Sequence, residues 1–343
     1  DIATGAARSL TSDVESPIGR LLTTATGIAA VHTDGAVTIW DEATWAPRAL
    51  RPGGTALRDV SVDVSGQSLT AVDYYGRVLR IAIADGTTRV TGFLEGADAL
   101  STRNVFRAMG VRIDGPESGR VTVHGVGREG LQAPSVPLDC GNAGTAMRLL
   151  MGLLAGQSFA SELVGDETLM RRPMRRVADP LALMGARVET SGDCPPVRIS
   201  PSPGLRGIEY HLPVASAQLK SALLLAGLYA SGRTTIIEPA PTRDHTERML
   251  GGFGVRIERD GPRVSLEGGQ RLTGCDIDVP ADISSAAFFL VGASIAPGSD
   301  LVLEHVGMNP TRTGIIDVLR LMGADITVLA EAEVGGEPVA DLR

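Results

Sequence analysis

The sequence predicts an α/β fold of repeated units with buried helices, preceded by a short all-β region, and three observations carry that prediction. Four segments, Met109-Gly110-Val111-Arg112-Ile113, Met184-Gly185-Ala186-Arg187-Val188, Phe253-Gly254-Val255-Arg256-Ile257 and Met322-Gly323-Ala324-Asp325-Ile326, each close a helical pattern on a glycine and open a strand. Their glycines stand 75, 69 and 69 residues apart. Interleaved with them, residues 142–156, 216–232 and 284–298 begin with small polar residues and continue as almost wholly apolar helices, the pattern of a helix buried on all sides. The third observation is a shorter period at the start of the chain: Ala30 to Trp40 recurs 41 residues later as Ala71 to Ile81, each copy having a turn glycine (Gly35, Gly76) between two alternating strands.

Composition limits the function classes. At 343 residues the chain is long enough for two domains or more. A hydrophobic content of 43% with only 3% aromatics describes a core of Ala, Val, Leu and Ile, and no run is long enough for a helical membrane span. The net charge of −8 and the absence of a dense basic block exclude a general nucleic-acid binder, so any anionic ligand must be met by a local cluster. Nearly all the basic residues are Arg, with Lys220 the only lysine. Cys140, Cys194 and Cys275 show no pairing or zinc spacing and read as reduced structural thiols of a cytoplasmic protein. The chain begins at Asp1 with no targeting pattern.

In chain order, residues 1–85 read as an all-β fragment of two WD-type propeller blades, because a period of 41 residues is the size of one blade and Asp34-Gly35 leads to Trp40-Asp41. From residue 86 the longer repeat takes over. Its most informative stretch is Asp139-Cys140-Gly141-Asn142-Ala143-Gly144-Thr145-Ala146-Met147-Arg148, a small glycine-bearing loop that runs straight into an apolar helix. Free backbone N–H groups and the positive end of a helix dipole there make an anion cradle; Gly144 permits close backbone approach, and Arg148 adds charge or anchors the loop. The other two apolar helices also start on polar residues, Ser216-Ala217-Gln218 and Asp282-Ile283-Ser284-Ser285. Ordinary capping explains one hydroxyl or carboxylate per helix; it does not explain Gln218 inside a first turn.

Basic residues come from the intervening loops. Asp166 to Arg176 holds four arginines within six positions, with Arg172 fixed ahead of Pro173, and Thr242-Arg243-Asp244-His245-Thr246-Glu247-Arg248 opens a further helix. Arg171, Arg175, Arg176 and Arg248 read as a solvated, charge-balanced face, whereas Arg172 and Arg243 read as ligand-facing.

Together, Gly141 to Arg148, Asp166 to Arg176, Pro213 to Ala222, Thr242 to Leu250, Asp282 to Leu290 and Met308-Asn309-Pro310-Thr311-Arg312-Thr313-Gly314 resemble the EPSP synthase (3-phosphoshikimate 1-carboxyvinyltransferase) family, in register from about Thr87 to Arg343. The resemblance implies an inverse α/β barrel of six pseudo-repeated units in two domains. Residues 86–281 then form the substrate domain and 282–343 the start of the second. It also implies enolpyruvyl transfer from phosphoenolpyruvate to the 5-hydroxyl of shikimate 3-phosphate, in the shikimate pathway, by a monomer that needs no cofactor and binds neither nucleic acid nor membrane. By position, Asn142, Gly144, Arg172 and Gln218 contact phosphoenolpyruvate, and Ser216, Ala217, Gln218, Thr242 and Arg243 hold shikimate 3-phosphate. Ala281 stands where the family usually has Gly before Asp282, a departure expected to strain the turn. Related UDP-N-acetylglucosamine 1-carboxyvinyltransferases carry a reactive Cys in the loop before the Arg-Pro pair, and residues 165–171 contain none.

The family's opening Gly-Asp/Ser-Lys-Ser segment is not found before Thr87, and its closing acidic, Lys and Arg groups are not found before Arg343. No catalytic acid or lysine of the family is therefore assigned, and the chain as written is expected to be inactive and marginally folded. An interaction protein with propeller-type repeats fused to a partial enzyme domain, and a joined coding sequence, remain as other readings.

Overall fold

The computed structural model describes residues 81–343 in full, together with the backbone of four strands between residues 18 and 50. Those strands, β1 (Ile18–Thr24), β2 (Gly27–His32), β3 (Val37–Asp41) and β4 (Pro47–Leu50), pair antiparallel in chain order. They belong to a compact unit spanning Asp1–Ser68, and a second unit spans Leu69–Arg343. β2 and β3 are the two strands expected about Asp34-Gly35, with Val31 paired to Val37 beside the turn. The WD-type propeller reading is not supported. Four antiparallel strands in sequence order are what consecutive hairpins give in many folds, and a closed propeller needs at least four such blades. Most of the expected second copy, residues 71–80, lies outside the described residues, and Ile81, Ala82, Ile83 and Ala84 are buried in the core of the second unit.

The second unit is built from one sheet pattern used three times. β5 (Asp85–Thr91), β6 (Arg112–Glu117) and β7 (Arg120–Val126) form the first sheet, with α1 (Ala97–Ala108) between β5 and β6. β8 (Leu138–Asp139), β9 (Ser161–Val164), β10 (Arg187–Ser191) and β11 (Cys194–Ser200) form the second, interrupted by α2 (Gly144–Ala155) and α3 (Arg175–Leu183). After the short β12 (Leu205–Arg206) come β13 (Glu209–His211), α4 (Ala217–Gly227), β14 (Ala230–Ser231), β15 (Arg233–Ile237), α5 (His245–Gly252), β16 (Ile257–Asp260) and β17 (Arg263–Glu267). β13, β15, β16 and β17 make the third sheet.

In the second and third sheets a short first strand runs parallel to the next, which pairs antiparallel with the outgoing hairpin. The first sheet obtains its parallel strand from far along the chain: β18 (Ile277–Asp278) pairs with β5 through Ile277↔Val90 and Asp278↔Thr91. The three units thus close on themselves. A further sheet follows from β19 (Leu303–Gly307), β20 (Val328–Val334) and β21 (Glu337–Leu342), with α6 (Ile283–Ile295) and α7 (Gly314–Leu321) against it.

The four predicted helix-to-strand glycines all adopt the left-handed conformation, at φ of +84° for Gly110, +98° for Gly185, +86° for Gly254 and +95° for Gly323. Each lies just past its helix, where a Cβ would be strained and glycine is not. Every residue of α2 is buried, as is α4 from Leu219 to Gly227. These two helices touch through their backbones, since a Cβ at Gly152 would overlap the carbonyl of Ala222. α6 is only partly covered, as expected where residues 282–343 alone represent the second domain. Only Ile283, Ala286 and Leu290 are buried, while Phe288 is 74% and Ile295 76% exposed, because among the described residues β19 and α7 cover one face of it. Ala281 is not strained: its N–H donates to the carbonyl of His305 at 2.8 Å, and its φ is not positive.

Candidate anion-binding site

The loop before α2 is held by backbone contacts that need small residues. Gly141 has φ +56°, and its N–H donates to Asp139 Oδ1 at 2.8 Å; its carbonyl accepts from the N–H of Asp166 at 2.8 Å. A Cβ at Gly165 would press on that same carbonyl at 2.5 Å, so the two loops meet only because both positions are glycine. Asp166 then works in two directions. Its Oδ1 accepts from the N–H of Leu169 at 2.7 Å, and its Oδ2 accepts from Asn142 Nδ2 at 2.7 Å. The bond from Leu169 is the main reason the Asp166 carboxyl lies below the usual carboxylate range.

Asn142 faces Arg172, whose Nη2 donates to Asn142 Oδ1 at 2.6 Å. Arg172 sits in extended backbone (φ −85°, ψ 136°), as a residue before proline should. An added Cβ on Gly144 would stand 3.0 Å from Arg172 Nη1 and 3.4 Å from Arg148 Nη1, so the hydrogen of Gly144 lines the space between two guanidinium groups. Arg148 is buried. Its Nη1 donates to Gln218 Oε1 at 2.9 Å and its Nη2 to the carbonyl of Pro173 at 3.3 Å. Gln218 in turn donates to Thr145 Oγ1 at 2.8 Å and accepts from Arg176 Nη2 at 3.4 Å. Burial, followed by the charges of Arg176 and Arg172, pushes the Arg148 guanidinium down to about 10. Three cations thus converge on the start of α2, where no side chain caps the helix. A preformed positive site of this kind fits a phosphate or carboxylate ligand.

Ser216 caps α4, accepting from the N–H of Leu219 at 3.4 Å, and places Ala217 and Gln218 in the first turn. Two residues past Gln218, the fully buried Lys220 reaches a second polar cluster. Its Nζ lies 2.7 Å from Glu247 Oε1 and 3.1 Å from Glu238. Glu238 accepts the hydroxyl of Thr242, and Arg259 approaches Glu238, Asp244 and Glu247 at 3.6 to 3.8 Å. Burial pushes the Glu247 carboxyl up, although Lys220 opposes it. Burial acts the same way on Asp244, but hydrogen bonds from Arg248 and Asn309 more than offset it and hold that carboxyl low. Asn309, in the segment after β19, donates to Asp244 Oδ1 at 2.7 Å and to Glu337 Oε2 at 3.0 Å.

Asn142 and Arg172 therefore form one bonded pair and Gln218 with Arg148 another, the two meeting across Gly144, with Ser216 and Ala217 adjoining on α4. Thr242 is joined to α4 through Glu238 and Lys220. Arg243 is half-buried beside Thr242, ahead of α5. Arg176, expected in a solvated charge run, reaches Gln218; Arg171 and Arg175 do pair at the surface with Glu167, Asp179 and Asp193. Asp166 and Glu238 are not among the residues expected at the site, and Lys220 stands out in the sequence only as the single lysine. A lone lysine inside an all-apolar helix was the available signal, since a buried ammonium needs a carboxylate partner. An open cleft lined by Arg128, Met184, Arg206 and Tyr229 lies at the other ends of α3 and α4 and contains none of these residues.

Residues 59–342 match the family model described as EPSP synthase (3-phosphoshikimate 1-carboxyvinyltransferase). The chain belongs to the EPSP synthase family. The match to the EPSP synthase model begins well before Thr87, so the expected second propeller blade falls within the family region. Among curated relatives, the 3-phosphoshikimate 1-carboxyvinyltransferase of Alkalilimnicola ehrlichii is 65% identical over 295 residues, 86% of this chain and 65% of the relative. That of Halorhodospira halophila is 67% identical over 263 residues, 76% of this chain and 59% of the relative. The chain thus spans less than two thirds of the length of these relatives. A solved EPSP synthase from Acinetobacter baumannii superposes with a TM-score of 0.76 at 56% identity, covering 79% of this chain and 61% of that one.

Proposed function

We propose that this chain binds shikimate 3-phosphate and phosphoenolpyruvate for enolpyruvyl transfer to the 5-hydroxyl, giving 5-enolpyruvylshikimate 3-phosphate and phosphate. The observation that carries the reading is the convergence of Arg148, Arg172 and Arg176 on an uncapped helix start, with Gln218 bridging Arg148 and Arg176. Asn142, Gly144, Arg172 and Gln218 would line the phosphoenolpyruvate side. Ser216, Ala217, Gln218, Thr242 and Arg243 would hold shikimate 3-phosphate. The reaction protonates C3 of phosphoenolpyruvate, adds the hydroxyl at C2 and expels phosphate from the tetrahedral adduct. Fixed guanidinium groups stabilise the charge that develops on the departing phosphate. The reading takes the protein to be a monomeric cytoplasmic enzyme of aromatic amino-acid biosynthesis. Transfer to a UDP-sugar is disfavoured, since residues 165–171 supply a carboxylate brace at Asp166 and no cysteine. Calorimetric titration with shikimate 3-phosphate tests the proposal: saturable heat that vanishes in Arg243→Ala supports it, and no heat at millimolar ligand overturns it.

A further inference from the structure

We infer that Glu238 and Lys220 are positioning residues which hold the two shikimate 3-phosphate segments, at the starts of α4 and α5, in fixed register. The inference rests on the functional reading above. The two segments come from different parts of the unit: Ser216 to Gln218 begin α4, while Thr242 and Arg243 precede α5. The link is a chain of side chains beneath the site. Thr242 donates its hydroxyl to Glu238, both Glu238 oxygens lie 3.1 Å from Lys220 Nζ, and Lys220 is anchored on α4 two residues past Gln218. From the α5 side, Glu247 meets the same ammonium at 2.7 Å. A second tie lies one residue along each helix, where Ser221 Oγ and Thr246 Oγ1 are 2.6 Å apart.

The chemistry of the cluster fits a clamp better than a stabilising pair. Lys220 and Glu238 are both essentially inaccessible, and desolvating such ions costs about as much as their attraction returns. An apolar pair would hold the core as well, but it would set no direction. An ammonium between two carboxylates fixes three backbones at hydrogen-bond distances, and Arg259, reaching Glu238, Glu247 and Asp244 from β16, keeps the carboxylates from repelling one another. Lys220 itself sits inside the unit, with no side-chain exposure, and acts through its neighbours.

Calorimetric titration of the full chain with shikimate 3-phosphate, paired with thermal melts, tests the clamp. Glu238→Ala, which frees the Thr242 hydroxyl, is expected to weaken binding about tenfold well below its melting temperature, and Lys220→Met to do the same. Glu238→Gln keeps an acceptor for Thr242 and should recover most of the affinity even if it melts earlier. A purely structural role would lower the melting temperature of all three without moving the dissociation constant of the folded protein; that result overturns the inference. Should Glu238→Ala not fold, Ser221→Ala removes the second tie without stranding a charge: binding weakened about threefold supports the clamp, and unchanged binding overturns it. If the unsubstituted chain gives no heat with shikimate 3-phosphate, the functional reading fails and the clamp falls with it. Binding by the parent that is matched by a folded Glu238→Ala overturns the clamp alone.

Discussion

At Gly144 the missing side chain matters because of what stands opposite: a methyl there would press on the guanidinium of Arg172 at 3.0 Å and that of Arg148 at 3.4 Å. Both groups are ends of flexible side chains, so Gly144→Ala should fold normally while displacing the cations proposed to hold phosphoenolpyruvate. In a chain extended to the full length of its relatives, the expected outcome is a raised KM for phosphoenolpyruvate and weaker inhibition by phosphonates such as glyphosate, with an unchanged melting temperature; equal kinetics would place this loop away from the anion. Arg172→Ala in the same extended chain removes the group itself and should lower kcat/KM by about two orders of magnitude. Arg148 gives the pH dependence. Its folded pKa of about 10 lies below the ordinary arginine value, so carrying the charge costs stability at neutral pH, and that cost fades as pH rises above about 10. A bound anion favours the charged form, so sulfate affinity should fall as pH rises through about 10, and the fall should shrink in Arg148→Met. The sequence marked Gly144 and Arg172 because each stands at a position with a local rule, a helix start and a pre-proline site. Asp166, Glu238 and the reach of Arg176 carry no such mark: their partners Asn142, Lys220 and Gln218 lie 24, 18 and 42 residues away.

Helices show the same division between local and distant causes. The four glycines that end α1, α3, α5 and α7 were legible because a left-handed residue after a helix is a local requirement, and the apolar runs of α2 and α4 were legible because burial on all sides leaves no polar face. α6 has an equally apolar sequence, yet Phe288 and Ile295 face outward; its cover depends on neighbours that its own sequence does not describe. Leu290→Ala should therefore cost about 2 to 5 kcal/mol, as a buried leucine does, while Phe288→Ala should cost less than about 0.5 kcal/mol and reduce binding of a hydrophobic dye. Comparable losses from the two would show that the outer face of α6 is covered in solution. Gly152→Ala makes the complementary point in α2. There the obstacle is the Ala222 backbone, which cannot swing away, so α2 and α4 would have to separate and the arginine cluster at their starts would separate with them.

Across the whole second unit, the feature least visible in the sequence is the one that closes it. β18 has two residues, too few for any alternation to show, and it pairs with β5 from 187 positions away. The WD-type reading erred by the opposite route, taking a short similarity at residues 71–81 as a second blade when those positions fall within the family match. Closure rests on Ile277 and Asp278 lying parallel to Val90 and Thr91, on the Thr91 hydroxyl donating to Asp278 Oδ1 at 2.6 Å, and on the Val279 N–H donating to the carbonyl of Thr91 at 2.9 Å. Gly92 makes that approach possible: its φ is +68°, and a Cβ would stand 2.6 Å from the Val279 carbonyl oxygen. Gly92→Ala combines an unfavourable backbone conformation with a collision against backbone, so it should destabilise the unit by about 1 to 3 kcal/mol. The distribution of that loss is the sharper test. If the three sheets form one cooperative ring, hydrogen exchange of the Val279 and Gly274 amides should speed up together with amides of β9 and β15 in Gly92→Ala, because opening the seam releases all three. Faster exchange confined to β5 and β18, with β9 and β15 unchanged, would show that the seam opens locally and that the second and third sheets hold without it.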